Sequence, residues 1–190
     1  MVLFLIIAAY VGVTLAANTY ATTLIELPLF GVVGVGTLFF GATFTLRDWI
    51  HQFAHDQGRG RKPVYYMIAS AAIVNFLVAI VTGGEQFDIR IVLASCAAIL
   101  IAESADTEIY QRLIKRNWYL RVAASNGVSA PLDSIIFTLL AFYGASYFPQ
   151  ELLIPVIFGD TLVKWAVGGL LALTKSVRDA AGAVLKGLNG

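Results

Sequence analysis

Charge is scarce in this chain. Aspartate, glutamate, lysine and arginine together make up 13% of the 190 residues, about half the share found in a typical soluble domain. Hydrophobic residues make up 58%, and the mean hydropathy is +0.78. This balance excludes an ordinary soluble domain and indicates an integral membrane protein.

Cysteine is nearly absent as well. The single Cys96 lies in an apolar stretch, so no disulfide framework is expected, and no Cys/His cluster marks a zinc or haem site. The sequence has no phosphate-binding loop and no HExxH motif. His51 and His55 fall in what we predict to be a solvated inner loop, which argues against a Ser–His hydrolase inside the membrane. The sequence therefore predicts no enzyme activity, no cofactor, no metal site and no nucleic-acid partner.

Six apolar segments are long enough to cross a bilayer, which takes about 20 residues in a helix. They cover approximately residues 2–20, 29–49, 64–82, 89–113, 122–148 and 152–174. We interpret the first as an uncleaved span, because no basic region precedes it. The short connections predict antiparallel neighbours. The expected fold is an all-α polytopic membrane protein, with a compact six-helix bundle over residues 1–174 and an amphipathic surface tail over 175–190.

Basic residues are concentrated on one side of this predicted bundle. They are Arg59, Arg61, Lys62, Arg112, Lys115, Arg116, Arg121, Lys175, Arg178 and Lys186. The opposite loops carry Glu26, Glu85, Asp88 and Glu151, with Arg90 as their base. Lysine and arginine are enriched in cytoplasmic loops. The sequence therefore predicts a multi-pass protein of the cell (inner) membrane with both termini in the cytoplasm.

Polar groups are densest between Glu103 and Phe137. Glu103, Asp106, Thr107 and Tyr110 recur at i, i+3, i+4 and i+7, which places them on one helix face. Asn126 and Asp133 are seven residues apart and share a face if the fifth helix is continuous. The alternative is that a helix begins near Pro131, with the Asp133 carboxylate in its first turn.

Five ionisable groups fall within the hydrocarbon core when about 1.5 Å is counted per residue: Glu103, Asp106, Asp133, Asp160 and Lys164. Such groups usually face a bundle interior or a wet cavity and mark function. Glu103 and Asp106 have no base one turn away, which favours a functional role. For Asp160 and Lys164, spaced i, i+4, a local ion pair is the alternative. Four carboxylates beside one ammonium group give a formal charge of minus three, so a bound proton or a ligand rich in N–H donors is expected.

Several motifs resemble a known family. They are AANTYATTLIELP near Asn18, TFTLRDW in the second helix, ESADTEIYQRL in the fourth, WYLR followed by SNGVSAPLDSIIF in the fifth, and GDTLVKW in the sixth. Over nearly the whole chain they are similar to the queuosine precursor transporter family, also labelled VUT for vitamin uptake transporter. The chain departs from the family in helix 2, where Arg47 stands at a position usually held by threonine.

The resemblance implies a six-helix inner-membrane carrier that takes up 7-deazaguanines such as 7-cyano-7-deazaguanine (preQ0), with a proton as a candidate coupling ion. Family positions carry over to Asn18, Asp48, Asp106, Arg121, Asn126, Asp133 and Lys164. The implied partners are a nucleobase-like small molecule and the lipid bilayer, and a homo-oligomer is left open.

The chemistry of a deazaguanine suggests roles for these residues. One carboxylate, from Glu103 or Asp106, is expected to accept both the N1–H and the exocyclic amine. Asn126 or Lys164 is expected to donate to the carbonyl oxygen. The stacking candidates are Tyr110, Phe137 and Trp165. Asp133 is the second acid or a proton site, Asn18 joins the substrate-binding set, and Asp48, Arg121 and Asp160 are the candidates for proton binding or gating.

Two other interpretations remain open at this stage. The chain could be the substrate-binding subunit of a multi-component vitamin importer, which needs an ATPase partner. It could also be a structural membrane protein, in which alanine would be tolerated at every buried acid. An intramembrane enzyme would require a nucleophile paired with a base at depth, and the sequence offers no such pair.

Overall fold

The computed structural model describes residues 2–82 and 89–188, with side chains described for residues 3–82, 89–170 and 173. These residues form the helices α1 (Val2–Thr19), α2 (Val35–Asp56), α3 (Lys62–Val81), α4 (Ile89–Arg112), α5 (Trp118–Phe142) and α6 (Leu153–Leu188). A hairpin of β1 (Leu24–Leu27) and β2 (Gly31–Gly34) joins α1 to α2. A 3-10 turn, Gln150–Leu152, precedes α6.

Polar residues are buried and large apolar residues are exposed, the reverse of a soluble protein. Asn75, Glu103 and Lys164 are buried, while Ile80 and Leu93 are more than half exposed. Within the described residues, three segments are long and apolar enough to cross a membrane: Lys62–Val81, Trp118–Phe142 and Gln150–Leu170; Leu3–Thr19 is a shorter apolar helix. Helices α2 and α4 contain more polar residues, and their charged groups near mid-helix point into the protein rather than outward.

The start of the second helix differs from the prediction. Residues 29–34, expected to be helical, belong to the hairpin, so the described fold is not purely helical. Phe30 N donates to Leu27 O across a turn that contains Pro28, and Gly31 follows with φ of 74°. That left-handed conformation suits glycine and is typical of a three-residue hairpin loop. The hydropathy of Leu29–Gly34 therefore did not predict the type of element, and Leu29 at the hairpin turn is 92% exposed.

Other helix ends also differ from the prediction. Helix α2 continues past Trp49 to Asp56, so His51 lies in a helix and is fully buried, which corrects the predicted solvated loop. Helix α5 begins earlier, at Trp118, because the side chain of Asn117 caps it by accepting from Leu120 N at 2.8 Å. It ends at Phe142 rather than Phe148. Gly144 follows with φ of 71°, and its N–H donates to Gln150 Oε1.

Close helix contacts shape the centre of the bundle. Helices α4 and α5 form the most extensive pair, and α2 packs between α1 and α6. A Cβ on Gly36 would collide with the carbonyl oxygen of Ala17, and one on Gly41 would lie 2.8 Å from Val167 Cβ. These two glycines therefore allow helix α2 to approach its neighbours closely. Gly168 and Gly169 do not, since Gly169 has open space at its Cβ position.

The end of the chain continues α6 without a break to Leu188, so the residues predicted to form a separate tail extend the last helix. The side chains of Lys175, Arg178 and Lys186 lie outside the described part, and so do the predicted outer residues Glu85 and Asp88. The amphipathic surface placement of the tail stays a prediction.

Candidate functional site

The buried carboxylates and the cations beside them form two groups in the described residues. We call the first the Arg47 cluster; it consists of Arg47, Asp48, Glu103 and Asp106. The second lines a cavity around Lys164 and is called the Lys164 cavity. The first lies toward the α4–α5 loop and the second toward the β-hairpin.

The Arg47 cluster places three carboxylates around one guanidinium. Arg47 Nη1 lies 2.9 Å from Glu103 Oε2, and Nη2 lies 2.9 Å from Asp106 Oδ1 and 3.6 Å from Asp48 Oδ1. All four side chains are at most 2% exposed. The rigid fork of arginine suits this arrangement because it presents several donors in one plane.

Neighbouring helices complete the cluster. Tyr10 Oη on α1 donates to Glu103 Oε1 at 3.2 Å, and Ser129 Oγ on α5 donates to Asp106 Oδ1 at 3.1 Å. Asn126, also on α5, accepts a hydrogen bond from Arg47 Nη2. Four helices therefore meet at these side chains, which fixes their relative rotation.

This geometry corrects one premise of the sequence analysis. Glu103 and Asp106 were expected to repel each other because no base lies one turn away on α4. Their counter-charge comes from α2 instead, from Arg47. The signal in the sequence was an arginine within an apolar helix, which needs a buried partner.

The Lys164 cavity is built from the ends of five helices near the hairpin. Lys164 Nζ donates to Asp133 Oδ2 at 2.7 Å and to Ser134 Oγ at 2.8 Å. Asp160 does not pair with Lys164 in the i, i+4 manner considered above; its Oδ1 accepts from Gly34 N at 3.0 Å. Asp133 and Asp160 thus both face the cavity from different helices. Helix α5 passes through Pro131, so Asp133 is not in a first turn.

An amide and aromatic rings form the remaining wall. Asn18 donates from Nδ2 to Asn75 Oδ1 at 2.7 Å, and Asn75 in turn donates to Thr14 Oγ1 at 2.9 Å. This network holds the Asn18 side chain at the cavity. Phe40 and Phe137 line the cavity, and Lys164 Nζ lies 5.4 Å from the centre of the Phe40 ring. The cavity thus combines acceptors, one cationic donor and flat apolar faces.

The cavity is small. Its volume is about 30 Å³, which is room for one or two water molecules. Pockets that take a drug-sized ligand have volumes of roughly 300 Å³ or more. A bicyclic heterocycle is larger than this volume, so it would enter only if the walls moved apart.

A wider groove, which we call the α5–α6 groove, lies on the other side of Lys164. Its volume is about 410 Å³, and Lys164 lines it as well as the cavity. Trp165 lies in its wall, where its Nε1 donates to Asn126 O at 3.0 Å. Gly127 and Gly169 line the groove and have open space at their Cβ positions. These glycines make room rather than bring helices together.

Three aromatic or basic residues, His51, Tyr110 and Arg121, form a separate layer near the C-terminal ends of α2 and α4. His51 stacks on Tyr110 with 4.5 Å between ring centres, and the Arg121 guanidinium lies 4.9 Å from the Tyr110 ring centre. Arg121 Nη2 also donates to Gln52 Oε1 at 3.1 Å. Tyr110 and Arg121 thus line neither the cavity nor the groove.

The structure therefore divides the predicted site residues by place. The cavity has Asn18, Asp133, Phe137, Asp160 and Lys164, the groove has Asn126, Lys164 and Trp165, and the Arg47 cluster has Asp48, Glu103 and Asp106. The sequence analysis did not single out Tyr10, Thr37, Phe40 or Ser134. Hydroxyl groups and phenylalanines in apolar helices carry no distinctive signal in a sequence. The role of Arg47 could have been found, because a charged residue in an apolar helix needs a buried partner.

Comparison with known proteins agrees with this picture. The profile of a family described as “Putative vitamin uptake transporter” matches residues 34–174. A Bacillus subtilis (strain 168) protein named “Probable queuosine precursor transporter” is 24% identical over 175 residues, which cover 81% of this chain and 74% of that protein. No solved structure matches the chain.

The resemblance noted in the sequence is therefore confirmed. The matched residues include the whole Arg47 cluster and most of the Lys164 cavity. Membership in a transporter family also agrees with the expectation of a membrane protein that moves a solute. Because the match extends over more than half of its length, the chain belongs to the vitamin uptake transporter family.

Proposed function

We propose that this protein takes up a queuosine precursor, a 7-deazaguanine such as 7-cyano-7-deazaguanine, across the cell (inner) membrane, and that a proton drives the uptake. The observation that carries the proposal is the Lys164 cavity. It brings two carboxylates, one ammonium group, one amide and three phenyl rings together inside a transporter-family bundle.

The proposed arrangement in the membrane has six spans. Helices α2 and α4 span despite their charges because Arg47, Glu103 and Asp106 neutralise one another in part and face inward. The predicted cytoplasmic ends carry Arg59, Arg61, Lys62, Lys115 and Arg116, which supports cytoplasmic termini. The Lys164 cavity then lies in the outer half and the α5–α6 groove in the inner half.

The cavity chemistry matches the edges of a deazaguanine. Adjacent N1–H and exocyclic amine groups require acceptors, which Asp160 and Asn18 supply at the cavity wall. The ring carbonyl requires a donor, which Lys164 supplies once it turns from Asp133. Phe40 and Phe137 give apolar faces for the ring. Glu103 and Asp106 lie behind this wall, so we move the recognition role from them to Asp160, with Asn18 beside it.

The groove supplies the route onward. Lys164 separates it from the cavity, so breaking the Lys164–Asp133 ion pair joins the two spaces. Trp165 and Tyr119 line the groove and offer aromatic surface to a flat solute on its way to the cytoplasm. The path thus runs from the hairpin end of α6 past Lys164.

Binding and uptake by the purified chain test this proposal. The protein is reconstituted alone in liposomes and supplied with labelled 7-cyano-7-deazaguanine, with guanine and 7-aminomethyl-7-deazaguanine as competitors. The Asp160→Asn variant keeps an oxygen for the Gly34 N–H but loses the negative charge. We expect its affinity to fall roughly tenfold to a hundredfold, since a hydrogen bond to a charged group contributes about 1.5–3 kcal/mol.

The matched control is Glu108→Gln, which removes a half-exposed carboxylate on α4 that pairs with Arg61. Its affinity should equal that of the wild type. Binding without uptake by the isolated protein would favour the subunit of an ATPase-driven importer. No binding of any 7-deazaguanine, or full affinity in Asp160→Asn, contradicts the proposed site.

A further inference from the structure

We propose that the coupling proton binds in the Arg47 cluster, on the Asp48–Asp106 pair, and not at the substrate cavity. This inference rests on the proposed function, because it assigns the energy source of the same transport cycle to particular atoms. One carboxylate of the pair takes up a proton that comes from water on the outer side of the membrane. The same carboxylate then releases that proton to water on the cytoplasmic side.

The charge balance of the cluster points to a bound proton. Three carboxylates surround one guanidinium, so full ionisation would leave a formal charge of minus two. Every member is nearly inaccessible to solvent. Buried charges are retained when each is paired, and an unpaired buried carboxylate is strongly disfavoured. A proton shared by two of the acids reduces the imbalance.

Unpartnered atoms identify which acids hold it. Glu103 uses both oxygens, one for Tyr10 and one for Arg47. Asp106 accepts from Ser129 and Arg47 on Oδ1, while its Oδ2 has no hydrogen-bond partner in the described part of the chain. Asp48 Oδ1 likewise lacks a hydrogen bond there and lies 3.6 Å from Arg47 Nη2. Arg47 Nη2 thus faces both Asp48 and Asp106, and either can take up the proton.

Other titratable groups lie near the Asp48–Asp106 pair but do not neutralise its negative charge. Tyr10 approaches from α1 and donates to Glu103. His51 and Tyr110 stack one turn closer to the cytoplasm, and Arg121 lies over Tyr110 from α5. On the cavity side, Asp133 is already paired with Lys164 of α6, while Asp160 bonds to Gly34. Arg47 is therefore the one cation in direct contact with the pair among the described residues.

Helix α5 links the proton pair to the substrate cavity. Asn126, Ser129 and Asp133 fall on one face at i, i+3 and i+7; the first two contact Arg47 and Asp106, and the third contacts Lys164. Pro131 lies inside the helix between the two contact points. Proline has no N–H to donate to the preceding turn, which makes this position a natural bending point. A change in charge at Asp106 can thus shift Asp133 and loosen its hold on Lys164.

Two transport assays on proteoliposomes test the proposal. The first measures accumulation of labelled 7-cyano-7-deazaguanine driven by an inward proton gradient. The second measures exchange of external label for internal unlabelled precursor with no gradient. The wild type should do both, and one proton per cycle supports up to about tenfold accumulation per unit of pH difference.

Asparagine mimics a carboxyl group that is permanently uncharged, so Asp48→Asn and Asp106→Asn should each retain exchange but lose gradient-driven accumulation. Asp160→Asn should instead weaken exchange and accumulation together, and Glu108→Gln should change neither. Gradient-driven accumulation at the wild-type level in both pair variants overturns the proposal, as does wild-type accumulation that ignores the gradient. Failure of wild-type exchange would reject the proposed function itself.

Infrared spectroscopy tests for the bound proton without a variant of the Asp48–Asp106 pair, so it applies even if such a variant does not fold. A carboxylic-acid C=O band that grows as the pH falls is expected in the wild type and in Asp160→Asn. Its absence from both would overturn the assignment.

Discussion

The Arg47 cluster and the Lys164 cavity contain the same chemical groups in different settings. Each surrounds one cation with carboxylates, and each joins helices that are distant in sequence. Around Arg47 the groups are packed against one another, whereas around Lys164 they border free space. Arginine holds several carboxylates in a fixed plane, while lysine is a flexible point charge. We propose that the first region serves structure and proton binding and that the second contacts the substrate.

The largest expected effect is on the packed region. Arg47→Met removes the counter-charge of three buried carboxylates, which should destabilise the protein by roughly 3–5 kcal/mol. Thermal melting of the purified protein in detergent measures the change. The control is Arg61→Met, which breaks the half-exposed pair with Glu108 and should cost less than about 1 kcal/mol. Equal melting temperatures for the two variants would show that the Arg47 contacts contribute no more than a surface pair.

The next effect separates stability from transport at the cavity. Lys164→Met should lower both, because it leaves Asp133 buried without its cation. The double variant Lys164→Met/Asp133→Asn removes both charges, so its melting temperature should recover most of the loss. Uptake should not recover, since the donor to the substrate is still missing. Recovery of uptake together with stability would show that the ion pair has only a structural role.

The smallest effect concerns the edge of the Arg47 cluster. Tyr10→Phe removes the hydroxyl group that donates to Glu103 at 3.2 Å. One such hydrogen bond contributes about 1 kcal/mol, so a small drop in melting temperature is expected. Affinity for the precursor should not change, because Tyr10 does not line the cavity. A marked loss of affinity in this variant would contradict the proposal that the two regions have separate roles.

Much of the helical layout could be predicted from apolar segment lengths. Segments near α1, α3 and α4 were placed within a few residues, because their ends coincide with changes in hydropathy. The start of α2 could not be predicted in this way, since Leu29–Gly34 is as apolar as a membrane helix. The hairpin conformation of this segment is set by Pro28 and by the left-handed φ of Gly31. The end of α2 was missed because His51 is polar yet buried on Tyr110.

The sequence indicated which polar residues lie inside the protein better than how they are arranged. Helical spacing placed Glu103 and Asp106 on one face and Asn126 on a face with Asp133, the depth count added Asp160 and Lys164, and family resemblance added Asn18. Among the described residues the four carboxylates do not all lie beside Lys164, as the charge count supposed, but divide between the Arg47 cluster and the Lys164 cavity. Partners such as Arg47 for Glu103, or Gly34 for Asp160, lie 56 and 126 residues away. Local periodicity carries no information about such distances.

The sequence by itself determined that this chain belongs in a membrane and that ionisable groups lie within its helices. Both conclusions follow from composition and from the fixed rise of a helix, which are local properties. Only the tertiary structure decided which acid meets which cation, and that Lys164 lines both a small cavity and a wider groove. The physical reason is that charge pairing depends on how helices rotate against one another, and small contacts such as Gly36 against Ala17 set that rotation.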